Sequence, residues 1–457
     1  MVFVKFCALV EGIYFVKTNA EFLSSPYRRS LRQFFVRSYQ KIKPSDFVQK
    51  VAETLLTRIL LIGVGLITSV IVARVLGPEG RGLYAVAAAI GAIGVQFGNL
   101  GLHASNTYYV SRDKKLLPAL IGNTILVSCA VGIPIIVLIW VILSLWPKLA
   151  PIDGLLLVLS LAWVPLGLVC LLLQNLLLGV QEVHAFNKIE LVTKVVGVGL
   201  IALLTFMRIA TVEAIFSTGL VTLVISSIWN LQRLKSHLTR SLHASMALLK
   251  QNIQYGVKAY LTAFFSFLVL RVDLLMVKYI LGPEQTGYYS IAANIAELVY
   301  ILPVVVATIL FPKLSSLTNI KEQWYLTKKA AVSTGAGMLL VLALAGLLAK
   351  PVVRMLYGDP FLPSVSPFLW LLPGMLFLGV ETVAVQFLNS LGFPKVIVAV
   401  WGLSCFLNIG LNILAIPEYG IVGASMVSSL SYFVVFAFVI WVSWKTESSM
   451  NDPTTET

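Results

Sequence analysis

Charge is what this chain has least of. Asp, Glu, Lys and Arg make up 12% of its 457 residues, against about 25% in a soluble domain, which excludes one large water-soluble core. Cysteine is scarce too. Cys129, Cys170 and Cys405 lie inside apolar runs and Cys7 stands apart near the start, so neither a disulfide framework nor a thiolate metal site is expected. The four histidines, His103, His184, His237 and His243, have no zinc spacing, and no metal or cofactor is expected. The net charge is +14, yet the basic residues sit between apolar runs rather than on one face, and no DNA or RNA motif is present. Nucleic acid is therefore not an expected partner. The apolar start, MVFVKFCALVEGIYFVK, is interrupted by Lys5 and Glu11 and lacks a small-residue cleavage site, so it does not read as a signal peptide.

What the chain has in excess is hydrophobicity: 58% of its residues, with a mean hydropathy of +0.90. Apolar stretches of about 20 residues, long enough to cross a hydrocarbon layer, recur from about residue 54 to 444. Twelve spans are expected. In the first half they cover 54–76, 83–105, 118–145, 154–178, 189–208 and 212–232; in the second, 254–280, 287–311, 330–349, 366–390, 396–416 and 421–444. The expected fold class is an all-α polytopic membrane protein with about 12 transmembrane helices.

Lys and Arg set the expected orientation. With the N-terminus in the cytoplasm, 23 of the 34 fall on the cytoplasmic side and five on the other: Arg81, Lys148, Arg208, Lys350 and Arg354. Both termini are then cytoplasmic. The stretch PYRRSLRQFFVRSYQKIK (26–43) suits an anionic membrane surface and equally a plain cytoplasmic tail, with the true start of the chain left open.

One phrase occurs twice. LGPEGRGLY (76–84) returns 205 positions later as LGPEQTGYY (281–289), each time after the first span of a six-span half. Gly-Pro ends one helix and the next glycine helps to open another. Six is an even number, so both halves enter and leave on the same sides. That is a parallel repeat about an axis along the membrane normal, a design of transporters with a site between the halves. The expected organisation is a basic segment 1–47, a six-helix lobe 48–232, a cytoplasmic linker 233–252, a second six-helix lobe 253–444 and a tail 445–457.

The phrase ARVLGPEGRGLYAVA resembles the polysaccharide-biosynthesis membrane proteins, the lipid-linked oligosaccharide flippases. So do RVDLLMVKYILGPEQTGYYSIAANI, ILFPKLSSL (309–317) and IPEYGIVGASMVSSLSY (416–432). The resemblance covers roughly residues 50–445, and its superfamily also holds multidrug and toxin extruders and the peptidoglycan lipid flippase. It implies two six-helix lobes around a cavity that opens alternately to each side. The implied cargo is an oligosaccharide on an undecaprenyl diphosphate carrier, moved across a bacterial inner membrane. Membrane lipids and other polysaccharide-assembly proteins are the implied partners. The peptidoglycan branch usually has two further C-terminal spans; here thirteen residues follow Trp444, an expectation against lipid II.

Ionisable groups deep in a bilayer are costly and point to function. Arg271, Asp273, Glu297 and Glu381 lie near the centres of their spans. Arg271 and Asp273 are two residues apart on a helix and cannot pair with each other, so each needs a partner elsewhere. Arg271 suits a diphosphate through its fork of donors and equally an ion pair with Glu297. Arg58 and Lys258 read as cavity cations or as snorkelling side chains. Lys194 reads as a substrate contact or as the i+4 partner of Glu190. Asn294, Asn408 and Asn412 either line a hydrated cavity or make interhelical hydrogen bonds. Asp273, Glu297 and Glu381 are the candidates for proton or sodium coupling.

Three rivals remain at this point. A cation-coupled drug extruder shares the fold. A membrane polymerase or glycosyltransferase is opposed by short outer loops, by the lack of a soluble nucleotide-sugar segment and by the lack of an acid–base pair in a long loop. A non-transporting scaffold is opposed by the deep charges.

Overall fold

The computed structural model describes residues 46–145, 151–152, 154–238, 241–392 and 395–449; the side chain of Lys258 and those of a few other residues within these ranges fall outside the described set. The basic segment 26–43 and the tail beyond 449 also lie outside it.

Among the described residues every regular element is a helix. In chain order they are α1 (Asp46–Asn99), α2 (Leu102–Arg112), α3 (Leu117–Leu145), α4 (Gly154–Gly179), α5 (Val183–Phe206), α6 (Val212–Lys235) and α7 (Met246–Val269). Then come α8 (Val272–Leu281), α9 (Pro283–Val299), α10 (Ile301–Ser315), α11 (Ile320–Tyr357), α12 (Val365–Ser390) and α13 (Lys395–Ser449). Side chains cap three of the starts: Thr211 accepts from Ala214 N at 3.2 Å, Ser245 from Leu248 N at 3.4 Å, and Asn319 from Lys321 N at 2.9 Å.

Among the described residues, ten stretches are long and apolar enough to cross a membrane, and the chain is a multi-pass membrane protein. Two are too long for one pass, at 44 residues (Leu56–Asn99) and 54 residues (Lys395–Ser448). Straight, they would reach about 65 and 80 Å against a hydrocarbon layer of about 30 Å. Each bends at a glycine, Gly77 with φ 67° and Gly420 with φ 61°. Counting each bent helix as two crossings gives the twelve expected. Spans seven and eight are themselves interrupted, at Leu270–Arg271 between α7 and α8 and at Tyr300 between α9 and α10. The second span ends earlier than expected, because Leu100 (φ 48°) and Gly101 (φ 79°) turn the chain out of α1.

The helices of each half pack mainly on one another: α4 on α3, α2 and α6 in the first, and α12 on α11, α10 and α13 in the second. The halves touch at both ends of the bundle. At one end lie the two Gly-Pro turns, which share an unusual backbone. Gly77 has φ 67° and ψ −176°, Gly282 has φ 92° and ψ 179°, a region open only to glycine; proline then starts the following helix at its preset φ. The phrases also meet each other. Gly82 lies against the Pro283 carbonyl and Gly287 against the Pro78 carbonyl, so close that a Cβ on either would overlap the oxygen. That reciprocal contact explains why the phrase occurs twice.

At the opposite end, near the 236–245 connection, Gly101 rests on the Gly256 backbone. Tyr260 Oη donates to the Gln96 carbonyl at 2.7 Å and Asn252 Nδ2 to Asn106 Oδ1 at 3.0 Å. Asn123 clasps Ser245 through both its amide donor (3.0 Å) and its acceptor (2.8 Å).

Candidate functional site

Between these two contact zones lies a cavity in two chambers, of about 520 and 330 Å³. Arg81, Tyr84, Trp163 and Asn294 belong to the walls of both. The larger chamber adds Arg58, Glu190, Lys194 and Glu297; the smaller adds Arg271 and Asp273. Trp163 fits because its neighbours are small. A Cβ at Gly91 or Gly219 would come within 2.8 or 2.6 Å of the indole.

The charges sort into pairs and leftovers. Arg58 Nη1 lies 2.9 Å from Glu190 Oε1, linking α1 to α5. Glu190 therefore pairs across helices and not with Lys194 one turn along. Among the described residues, no carboxylate lies within ion-pair distance of Lys194. Arg271 sits in the break of span seven, and its Nη2 lies 3.0 Å from Glu297 Oε1 and 3.3 Å from Oε2. One nitrogen carries the pair, which leaves the rest of the guanidinium without a bond to Glu297. Asp273 is 3% exposed; Oδ1 accepts from Leu274 N at 2.7 Å, and Oδ2 accepts from the Ser428 hydroxyl at 2.9 Å and from the Tyr289 hydroxyl. Arg271 and Asp273 thus take separate partners. The position of Asp273 in the first turn of α8 also suits a carboxylate, since helix N-termini favour negative charge.

Other expected residues fall elsewhere. Asn294 is in the wall, with Nδ2 3.5 Å from Ser69 Oγ, and Ser69 in turn meets Tyr357 Oη at 3.3 Å. Asn408 and Asn412, expected at the cavity, line neither chamber. Both are fully buried in α13, where Asn408 donates to Ser431 Oγ at 3.1 Å and Asn412 to Asn408 Oδ1 at 3.0 Å; they tie the two arms of the bent helix together. Glu381, 3% exposed on α12, lies inside the second bundle and also lines neither chamber. Lys258 lies outside the described side chains.

Arg81 is the residue that sequence reasoning misplaced. Sequence hydropathy places it in an outer loop, because a charged residue beside Gly-Pro reads as a turn. In the structure it belongs to α1, is 6% exposed and forms part of both chambers. Its guanidinium lies over the Tyr84 ring, 5.6 Å from the centroid, and its buried Nε has no hydrogen-bond partner. A signal was available. Arg81 stands where the second copy of the phrase has Thr286, so the repeat breaks its own pattern there.

The polysaccharide biosynthesis protein family matches residues 71–366, well over half of the chain. The chain belongs to that family. A curated relative, the "Probable low-salt glycan biosynthesis flippase Agl15" of Haloferax volcanii, is 23% identical over 225 residues, 49% of this chain and 47% of that protein. The chain spans less than half the length of the curated relatives it matches first. The fold is similar to that of the lipid II flippase MurJ in its inward closed conformation, with a TM-score of 0.70 and 16% identity over 86% of this chain and 87% of that one. It is also similar to an inward-facing multidrug resistance MATE family transporter, with a TM-score of 0.68 and 15% identity over 86% and 96%.

Proposed function

We propose that this polysaccharide biosynthesis protein is a flippase that moves a lipid-linked oligosaccharide across the membrane by alternating access. The observation that carries the reading is the charge balance of the cavity. Arg58, Arg81, Lys194 and Arg271 line it against Glu190, Glu297 and Asp273. Every one of those carboxylates is already engaged by an arginine or by hydroxyl and amide donors. Among the described residues, two cations, Arg81 and Lys194, then have no ion-pair partner against one such carboxylate, Asp273, so the cavity keeps a net positive charge, and a positive site selects an anion. The same balance disfavours the drug-extruder reading, whose cargo is an organic cation.

In its finer form, the cargo is an oligosaccharide on undecaprenyl diphosphate and the membrane is a bacterial inner membrane. The Gly-Pro turns face outward, and 48–232 and 253–444 move as the two bodies. Asp273 is the better candidate for coupling to a proton or sodium gradient, since Glu297 is committed to Arg271. The decisive experiment is transbilayer movement of a fluorescent lipid-linked oligosaccharide in proteoliposomes. Wild type moves the lipid. Arg271→Ala accumulates normally and does not move it, because the pair with Glu297 that must open and close is lost, and Arg271→Lys retains part of the rate because the pairing charge survives while the guanidinium geometry does not. No movement by wild type with any lipid-linked oligosaccharide, together with tight binding of organic cations, would sink the reading.

A further inference from the structure

We infer that Arg81 is the group that holds the phosphate of the translocated lipid, with Lys194 supplying a second positive charge in the same chamber. The inference rests on the flippase reading and deepens it by naming the head-group site.

Burial is the first reason. Arg81 is 6% exposed, its Nε is sealed off with no hydrogen-bond partner, and among the described residues no carboxylate pairs with it. Its neighbour is the face of Tyr84, which attracts the cation without satisfying the N–H donors. A buried guanidinium without acceptors is costly, and a persistent orphan donor calls for an explanation. A ligand that supplies acceptor oxygens removes the deficit.

The second reason is that the turn does not need an arginine. Thr286 occupies the matching place in the other copy, fully buried, and its hydroxyl donates to the Gly282 carbonyl of its own helix at 2.7 Å. Gly282 and Gly77 have matching backbones, so the same local geometry is built with a small neutral residue in one copy and with Arg81 in the other. Packing alone does not account for the difference.

The third reason is availability. Binding through Arg58 or Arg271 would require the Arg58–Glu190 or Arg271–Glu297 pair to open first. Arg81 and Lys194 have no such pair to break. The planar fork of Arg81 suits two oxygens of one phosphate, and Trp163 and Asn294 share its wall. An aromatic face and an amide beside the phosphate suit a sugar ring attached to it.

The test uses the full chain in nanodiscs of uncharged phosphatidylcholine and measures binding calorimetrically. The probes are a short-chain prenyl diphosphate, the prenyl alcohol of the same length, and inorganic pyrophosphate. Wild type is expected to bind the diphosphate at least tenfold more tightly than the alcohol. Arg81→Gln should weaken diphosphate binding tenfold or more, Lys194→Gln several-fold, and Arg271→Gln less than threefold. Binding of prenyl diphosphate in preference to pyrophosphate supports a lipid head group. Equal binding of the two supports Arg81 as a diphosphate site that does not read the tail. Because the change removes a buried unpaired charge, Arg81→Gln should melt no lower than wild type. Undiminished affinity in Arg81→Gln, or a loss in Arg271→Gln as large as in Arg81→Gln, overturns the inference and leaves the flippase reading intact. A lower melting temperature for Arg81→Gln counts against it too, by revealing a structural role. If wild type neither binds the diphosphate nor moves lipid-linked oligosaccharide, the flippase reading has failed.

Discussion

The two copies of the repeated phrase make the same turn and carry different chemistry. Both place glycine at positive φ before proline, and each seats a second glycine on the other's proline carbonyl. Past the turn they diverge. The first copy puts Arg81 and Tyr84 into the cavity wall; the second has Thr286 bonded to its own helix, and its Tyr289, which also lines the smaller chamber, donates to Asp273. Thr68 holds the place in the first half that Asp273 holds in the second, and its hydroxyl donates to the Val64 carbonyl at 2.8 Å. Symmetry is kept where backbone meets backbone and given up at Arg81 and Thr286, the first in the cavity wall and the second sealed in its own helix. A duplicated fold can therefore hold one interface and still present an asymmetric cavity.

Making the copies more alike is the harshest test of that comparison. Thr286→Arg would bury a second guanidinium at a sealed position with no partner. It should cost on the order of 3–5 kcal/mol and prevent accumulation of folded protein, measured by size-exclusion recovery and thermal melting. Gly82→Ala and Gly287→Ala come next. Each Cβ would meet a carbonyl that cannot move without its helix, so each should cost about 1–3 kcal/mol as overpacking does and reduce lipid movement more than it reduces yield. Equal transport in the alanine variants and wild type would show that the turn-end contact can be loosened freely. Asn408→Ala should lower stability by about 1–3 kcal/mol through a lost buried hydrogen bond while leaving substrate affinity within twofold, since Asn408 lies off the cavity. The smallest effect is expected of Thr286→Ala, within about 1 kcal/mol in stability and silent in diphosphate binding. A binding defect there would mean that both copies of the phrase contact cargo.

The twelve crossings were legible because hydropathy over about 20 residues is a strong, local signal. The repeat was legible because glycine and proline mark its turn. Arg81 was not, because a window that averages polarity cannot separate a charged residue in a loop from one folded back into a cavity. The partner of Glu190 is hidden for a related reason. Sequence spacing offers Lys194 one turn away, whereas the contact is made by Arg58, 132 positions distant. The Arg271–Glu297 pair is one of two readings the sequence leaves open, and the structure contains it. Asn408 and Asn412 form a polar stripe in either role; only the position of Ser431 places them in helix packing and not at the cavity.

The glycine contacts at the two ends of the cavity, Gly82 and Gly287 on proline carbonyls and Gly101 on Gly256, also bear on how fast such a carrier can turn over. They join backbone to backbone, and glycine has no side-chain rotamers to freeze when the contact forms. Latches built from long side chains lose up to about 2 kcal/mol of rotamer entropy per residue on closing, and these lose almost none. Forming these contacts therefore freezes almost no side chain, so in the alternating-access reading each end closes at little entropic cost.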